Sequence, residues 1–301
     1  MIFFLIKLAK LYRGLRKIGL SKLKMIFKPY AVIAMLALTV LSTQQIFAQM
    51  PARFYWKTLS GANGVPLIVE SISGNTNPFD PSHNVNKGAY VSGTMAMVGY
   101  AKFLPLFDRT AMISVIFPMG RITSEVISTT LTSKETAKGF GDPMLEFNIN
   151  IIGPKAQMNL VDLMRYEPGF SLDLMMDIGF PIGEYNDTLA LNLGGNRWFG
   201  RLAAPIIWQI GPWVPGRRTT LEFLPAVWLF GDNTDFLGQT MKTDPILQLD
   251  AHLSRDITHN FWASLDGAWF NGGKATIDTS EGKKLDNIAL GITLGYQINE
   301  N

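Results

Sequence analysis

The chain contains no cysteine. That excludes a disulfide framework, a thiolate metal site and a cysteine nucleophile. Charged residues make up only 17% of it, below the ~25% usual for soluble domains. Acidic residues are absent from positions 1–49, which carry eight Lys/Arg; the remainder has 27 − 8 = 19 basic and 24 acidic side chains, a net of −5. No basic patch is left to attract nucleic acid. Beyond the N-terminal region no run is long and apolar enough for a membrane-spanning helix, which needs ~20 residues. There is no G-x-S-x-G elbow and no P-loop.

What the chain has is alternation. From Phe170 to Phe180 every second residue is apolar: Phe170, Leu172, Leu174, Met176, Ile178 and Phe180 share one parity, and Ser171, Asp173, Asp177 and Gly179 the other. A period of two is the β-strand signature, because successive Cβ atoms point to opposite faces. The run is about twice an ordinary strand of ~5–6 residues and matches the ~9–11 residues of a tilted membrane-spanning strand. Similar runs occupy 143–153, 196–210, 245–253, 261–269 and 288–298, with weaker ones at 65–74, 88–104, 108–120 and 218–231.

The N-terminus reads as an export signal. Lys22, Lys24 and Lys28 precede the apolar run Ala31–Leu41, and Ile46-Phe47-Ala48 offers a cleavage site ending in a small residue. Residues 1–48 are expected to be an extension and signal peptide, with translation starting at Met25; the alternative is an uncleaved inner-membrane anchor. Residues 49–64 form a periplasmic leader containing Arg53-Phe54-Tyr55-Trp56, and 65–298 the strand region.

Connection lengths fit an outer-membrane barrel, which has long external loops and short periplasmic turns. With strand one running outward, the outer connections are 75–87, 121–140, 182–195, 232–242 and 272–285. The inner ones are 105–107, 154–168, 211–217 and 256–259. Segment 158–164 reads as a short periplasmic amphipathic helix. Mid-strand charges such as Asp173, Asp177, Glu222, Asp250 and Asp266 oppose apolar faces. Aromatics, among them Phe107, Trp198, Trp208, Trp269 and Phe270, cluster near strand ends, as in interfacial girdles. The expected fold is therefore an all-β transmembrane antiparallel barrel with about ten strands.

Several motifs occur in order: Gly139-Phe140-Gly141-Asp142-Pro143, Phe180-Pro181-Ile182-Gly183-Glu184-Tyr185, Asn192-Leu193-Gly194-Gly195-Asn196-Arg197-Trp198, Phe230-Gly231-Asp232-Asn233-Thr234-Asp235-Phe236, Asp244-Pro245 with His252, and Phe261–Leu265. Together they resemble the outer-membrane transporter family associated with the meta-pathway of phenol degradation. The resemblance spans roughly 52–298. It implies a barrel of about twelve strands and uptake of aromatic or other hydrophobic compounds. Family members continue past the segment matching Ile288–Ile298 with another hairpin. Two expectations stand open at this point: ten strands closing a smaller barrel, or a C-terminally truncated member.

Candidate lumen and substrate-path residues are Glu146, Asp173, Met175, Asp177, Phe199, Arg201, Glu222, Asp250, His252 and Asp266. Asp173 and Asp177, ~13 Å apart on one strand, are too far apart for paired-carboxylate catalysis and are expected to face Arg201. His252 lies between Asp250 and Ser254 on one face, but i, i+2 spacing of ~6–7 Å favours a lumen network over a catalytic triad. His83 and His259 are expected in solvent. Asp232-Asn233-Thr234-Asp235 could ligate Ca²⁺ but reads better as a tight turn. No cofactor or metal is called for. Three functions follow: an outer-membrane channel for small hydrophobic or aromatic molecules, a lipid hydrolase using His252, or a structural or adhesive barrel acting through 121–140. The partners expected of the channel are outer-membrane lipid, a small solute and the barrel-assembly machinery.

Overall fold

A computed structural model describes residues 51–83, 88–127, 132–165 and 167–297; the export-signal region and Ile298 lie outside them. The elements in order are β1 (Asn63–Gly64), β2 (Leu67–Gly74), β3 (Ala89–Leu106), β4 (Arg109–Ile127), β5 (Thr132–Phe140), β6 (Met144–Ile152), α1 (Leu160–Arg165), β7 (Phe170–Gly179), β8 (Phe199–Ala203), β9 (Ile206–Gln209), β10 (Thr219–Phe230), β11 (Asn233–Phe236), β12 (Gln239–Thr243), β13 (Ile246–Asp256), β14 (Phe261–Gly272), β15 (Ala275–Ile277), β16 (Ser280–Glu281) and β17 (Leu285–Tyr296). No helix among the described residues is long and apolar enough to cross a membrane.

Thirteen strands form one antiparallel sheet. Three of its lanes are single strands interrupted at a proline, which has no N–H for the ladder. β1 and β2 break at Pro66, β5 and β6 at Pro143, β8 and β9 at Pro205. Neighbouring amides bridge each gap to the proline carbonyl: Gly99 N–H to Pro66 (3.0 Å), Phe180 N–H to Pro143 (2.9 Å) and Asp173 N–H to Pro205 (2.8 Å). Counted as lanes, the wall has the ten strands that the alternation predicts. It runs from β1/β2 to β17 in chain order, and among the described residues β2 pairs only with β3 and β17 only with β14.

The wall is inverted relative to a water-soluble protein. β7 alternates between exposed Phe170, Leu174 and Met176 and buried Ser171, Asp173 and Asp177. β13 does the same, with Leu247, Leu249 and Leu253 exposed and Gln248, Asp250, His252 and Ser254 buried. Charged side chains are almost never fully buried unless paired, and soluble sheets do not turn an apolar face outward along every lane. The fold is a transmembrane β-barrel type: apolar to lipid, polar to the lumen. Close approach across the lumen face needs a glycine at one level. The Phe199 ring lies directly over Gly179, its register partner on β7, where any Cβ would overlap it.

At one end the connections are short. Phe107 and Asp108 join Leu106 to Arg109 with φ of 52° and 60°, a two-residue turn with both central residues left-handed, as tight hairpins require. α1 sits at this end and overlaps the segment 158–164 expected to be helical, ending one residue beyond it. The other end departs from the expected loops. Segment 121–140 is a continuation of the ladder, β4 running to Ile127 and β5 beginning at Thr132. Segments 232–242 and 272–285 are not plain loops either; β11, β12, β15 and β16 make a separate four-stranded sheet. The turn lies at Leu237-Gly238, both with positive φ, and not at Asp232–Asp235. Phe270, expected in an outward girdle, is 1% exposed and packs with Trp228, Ile246 and Leu285; its parity on β14 is the inward one, which proximity to a strand end concealed.

Candidate functional site

Inward parity gathers the candidate residues onto one surface. Glu146, Asp173, Met175, Asp177, Arg201, Glu222, Asp250, His252 and Asp266 are all buried, and Phe199 is half-buried. Cross-strand register sets who meets whom. Glu146 on β6 is opposite Asp177 on β7, which is opposite Arg201 on β8, which is opposite Trp228 on β10. The Arg201 Nε donates to Asp177 Oδ2 at 2.5 Å, its NH2 stands 3.9 Å from Glu146, and its guanidinium lies 4.8 Å from the Trp228 ring centre. One guanidinium thus serves two carboxylates. Such a cluster is costly to desolvate and is held by its geometry.

A second row joins Glu222, His252 and Asp266 across β10, β13 and β14. His252 Nδ1 lies 2.8 Å from Asp266 Oδ1. The Ser264 and Thr293 hydroxyls donate to the same carboxylate at 2.7 and 2.6 Å. A hydrolytic triad needs the serine on the histidine and the histidine on the acid. Here both hydroxyls go to the acid, so the arrangement is a lumen network. Asp250 accepts from Gln248 (2.8 Å), which in turn accepts from Trp228 Nε1 (2.6 Å).

The residues that the sequence did not bring forward come from the leader. Residues 53–57 are threaded among the lumen side chains. Arg53 donates through its backbone to Glu222 (2.9 Å), through Nε to Ser254 (3.0 Å) and through NH1 to Asp256 (2.7 Å). Its guanidinium is sandwiched between Trp56 and Trp262, 4.2 and 4.5 Å from the ring centres. Trp56 Nε1 donates to Glu222 Oε1 (2.9 Å). Lys57 pairs with Asp173, both nearly buried. Tyr55 packs on Met175, Ala203 and Leu224. Asp173 therefore does not face Arg201 as expected: Lys57 and the Asn150 amide (2.8 Å) take its oxygens. Asp256 and Ser254 continue the Asp250–His252 parity, a signal that would have found them. Nothing in the local pattern announces that the leader enters the lumen.

The opposite mouth is narrowed by segment 75–83. Asp80 pairs with Arg197 (3.2 Å) and accepts from the Ser82 amide and hydroxyl. Burial by itself pushes the Asp80 carboxyl up, but Arg197 and the two Ser82 hydrogen bonds hold it below the usual carboxylate value. His83, expected in solvent, is 9% exposed, edge-on to Phe270 at 5.1 Å. Burial pushes its pKa down to about 4 against the pull of Asp80. His259 is exposed as expected.

The glycine-rich motifs converge at this mouth. Asp142 accepts from the amides of Gly183 (2.8 Å) and Gly195 (2.7 Å), tying three motifs together. Asn233 donates to the Tyr185 hydroxyl (2.9 Å) and the Gly195 carbonyl (3.1 Å), bringing in a fourth. Asn233 is thus a structural tie, and no group of three or more His, Cys, Asp or Glu among the described residues is arranged to hold a metal ion. Asp142, Tyr185, Gly195 and Asn233, with Phe79, Arg197 and Phe199, line a small cavity of about 40 Å³.

Comparison with known proteins adds two findings. The family described as "Putative MetA-pathway of phenol degradation" matches residues 75–301. Among solved structures, a COG4313 outer membrane channel from Pseudomonas putida F1 superposes with a TM-score of 0.65 at 18% identity, covering 84% of this chain and 88% of that one. No curated protein sequence matches. At that identity the likeness speaks for the fold.

Proposed function

Because the chain belongs to the family described as "Putative MetA-pathway of phenol degradation", we propose that it is an outer-membrane channel for small hydrophobic or aromatic molecules. The observation that carries this reading is the inverted wall, with apolar side chains outside and Glu146, Asp177, Arg201, Asp250 and their neighbours inside. The solved structure that shares its fold is that of an outer membrane channel. Residues 1–48 serve as the export signal, and insertion follows through the barrel-assembly machinery.

In the conformation described, the leader occupies the lumen, so passage requires residues 53–57 to shift. A small aromatic solute finds apolar contact on Met175 and Phe199 and polar contact along the Glu146–Arg201 row. The pathway is narrow, as expected of a ten-strand wall whose lumen side chains reach one another. The enzymatic reading is disfavoured because the Ser254 hydroxyl is engaged by Arg53 and Thr220 while His252 pairs with Asp266. Vesicles loaded with a phenol-sized reporter test the channel. Leak that rises on reconstitution, and rises further when Arg53 and Lys57 are both changed to Gln, is the expected result. No leak in either protein, with folding verified by heat-modifiable gel mobility, would contradict it.

A further inference from the structure

The hairpin of β4 and β5 has two distinct faces. Its inward face carries Ile122, packed with Leu191 and Leu193 against Ala137, and Glu135, which accepts from the Leu191 amide. Its outward face carries Arg121, Thr123 and Glu125 on β4, opposite Lys138, Thr136 and Lys134 on β5. Glu125 and Lys134 pair at 2.5 Å, and the two threonine hydroxyls meet at 3.0 Å. The third row is different. Arg121 stands directly opposite Lys138, both exposed. No hydrogen bond or ion pair is recorded for either among the described residues. Directly opposed side chains on one face sit with Cβ atoms ~4.5–5.5 Å apart, and like charges there are destabilising.

The position of this row matters. The row below it, across four lanes, is Val69, Ala96, Met119 and Phe140; the row itself is Ser71, Thr94, Arg121 and Lys138. Phe117 and Phe140 below are half-exposed. From Ile113 through Met119 the outward parity of β4 is wholly apolar, and Arg121 is its first charge. The basic pair therefore marks the boundary between hydrocarbon and headgroups. It lies at the end opposite the tight Phe107-Asp108 turn, the external end of an outer-membrane barrel. With Glu125 committed to Lys134 and the Glu184 carboxylate held against Gly139, the outward face of the hairpin keeps two cations at headgroup depth that make no ion pair among the described residues.

We infer that Arg121 and Lys138 bind the phosphorylated headgroup of an outer-leaflet lipid, whose acyl chains lie on Met119, Phe140 and Phe117. The anion removes the cross-strand repulsion, Arg121 offers a fork of donors to phosphate oxygens, and the Thr123 and Thr136 hydroxyls lie one row above. The site rests on the membrane placement of the preceding reading but not on transport through the lumen.

The test uses the full chain in neutral detergent micelles doped with diphosphoryl lipid A or with phosphatidylcholine. Retained lipid is measured by native mass spectrometry. Wild-type protein is expected to retain the anionic lipid A in preference to the zwitterionic phosphatidylcholine. Arg121→Gln and Lys138→Gln each weaken retention about fivefold, the contribution of one cation near an anionic surface, and Lys134→Gln leaves it unchanged. Without anionic lipid, the double variant Arg121→Gln/Lys138→Gln loses its heat-modifiable folded band at a higher temperature than wild type, because the repulsion is gone. Retention by the double variant equal to wild type would overturn the inference. So would an equal loss in Lys134→Gln, which would mean diffuse charge, or full displacement by inorganic phosphate, which would mean a free-anion site. A chain that fails to insert into bilayers at all defeats the membrane reading instead, and is distinguished by the absence of any reconstituted protein.

Discussion

Two segments enter the lumen, one from each end, and they are held by different means. The leader, residues 53–57, is tied by charge: Arg53 to Asp256 and Lys57 to Asp173, with aromatic faces on the Arg53 guanidinium. Segment 75–83 is tied mainly by backbone and packing. Asn77 bonds the Asn192 carbonyl (2.7 Å), Phe79 packs on Ile122 and Leu193, and His83 lies against Phe270; Asp80 adds an ion pair to Arg197. A segment held by ion pairs in a polar lumen can exchange its partners for water or solute. One held by packing must break a shaped contact. The comparison places the movable part at the leader and the fixed part at the opposite mouth.

The largest expected effect follows from unpairing the leader. Asp173→Asn leaves Lys57 buried without its carboxylate, and loss of one partner of a buried pair costs ~3–5 kcal/mol. The denaturant midpoint of the folded band should fall accordingly, and Lys57→Met in the same chain should restore much of it. If Asp173→Asn were neutral, the leader would not be held by charge.

Acid should act on the other segment. His83 has its folded pKa depressed to about 4 from 6.5. The unfolded chain therefore takes up the proton first, and stability falls as the pH drops from about 6.5, with the full penalty reached near 4. That amounts to up to about 3 kcal/mol at 1.36 kcal/mol per pKa unit. Asp80 has its folded value lowered, so its contribution is present above the unfolded carboxylate value and is lost as pH falls through the folded one. Both signs predict acid loosening of the mouth. Protease cleavage within 75–83 should rise between pH 6 and 4 in wild type and change less in His83→Gln. A flat profile in wild type would remove His83 from the account.

The smallest effect sharpens the contrast. Lys134–Glu125 is an exposed pair, with side chains 62% and 38% accessible. Lys134→Gln should alter stability by no more than ~0.2–1 kcal/mol. A loss as large as that of Asp173→Asn would mean that burial does not set the scale.

Much of this was legible from periodicity. Asp173, Asp177, Asp250, His252 and Asp266 were placed on the lumen face because a strand's parity is local and survives any tertiary arrangement. The ten lanes and the short helix near 158–164 followed from the same signal and from connection length. The leader was not legible, because Arg53 and Lys57 reach Asp256 and Asp173 more than a hundred residues away. His83 was misplaced for the same reason: a connection reads as solvated until something folds it inward. The hairpins at 121–140 and 232–242 look like loops in the sequence because neither face of an extramembrane ladder need be apolar, so its alternation is weak.

The leader's two cations close an acid-lined lumen. Without them the wall offers Glu146, Asp173, Asp177, Glu222, Asp250, Asp256 and Asp266 against Arg201 and Arg218. Single-channel recording of the full chain carrying Arg53→Gln and Lys57→Gln, in planar bilayers under a salt gradient, tests it most directly. A conductance step larger than wild type, with a reversal potential showing cation preference, is the predicted result. Unchanged conductance, or a preference for anions, would contradict it.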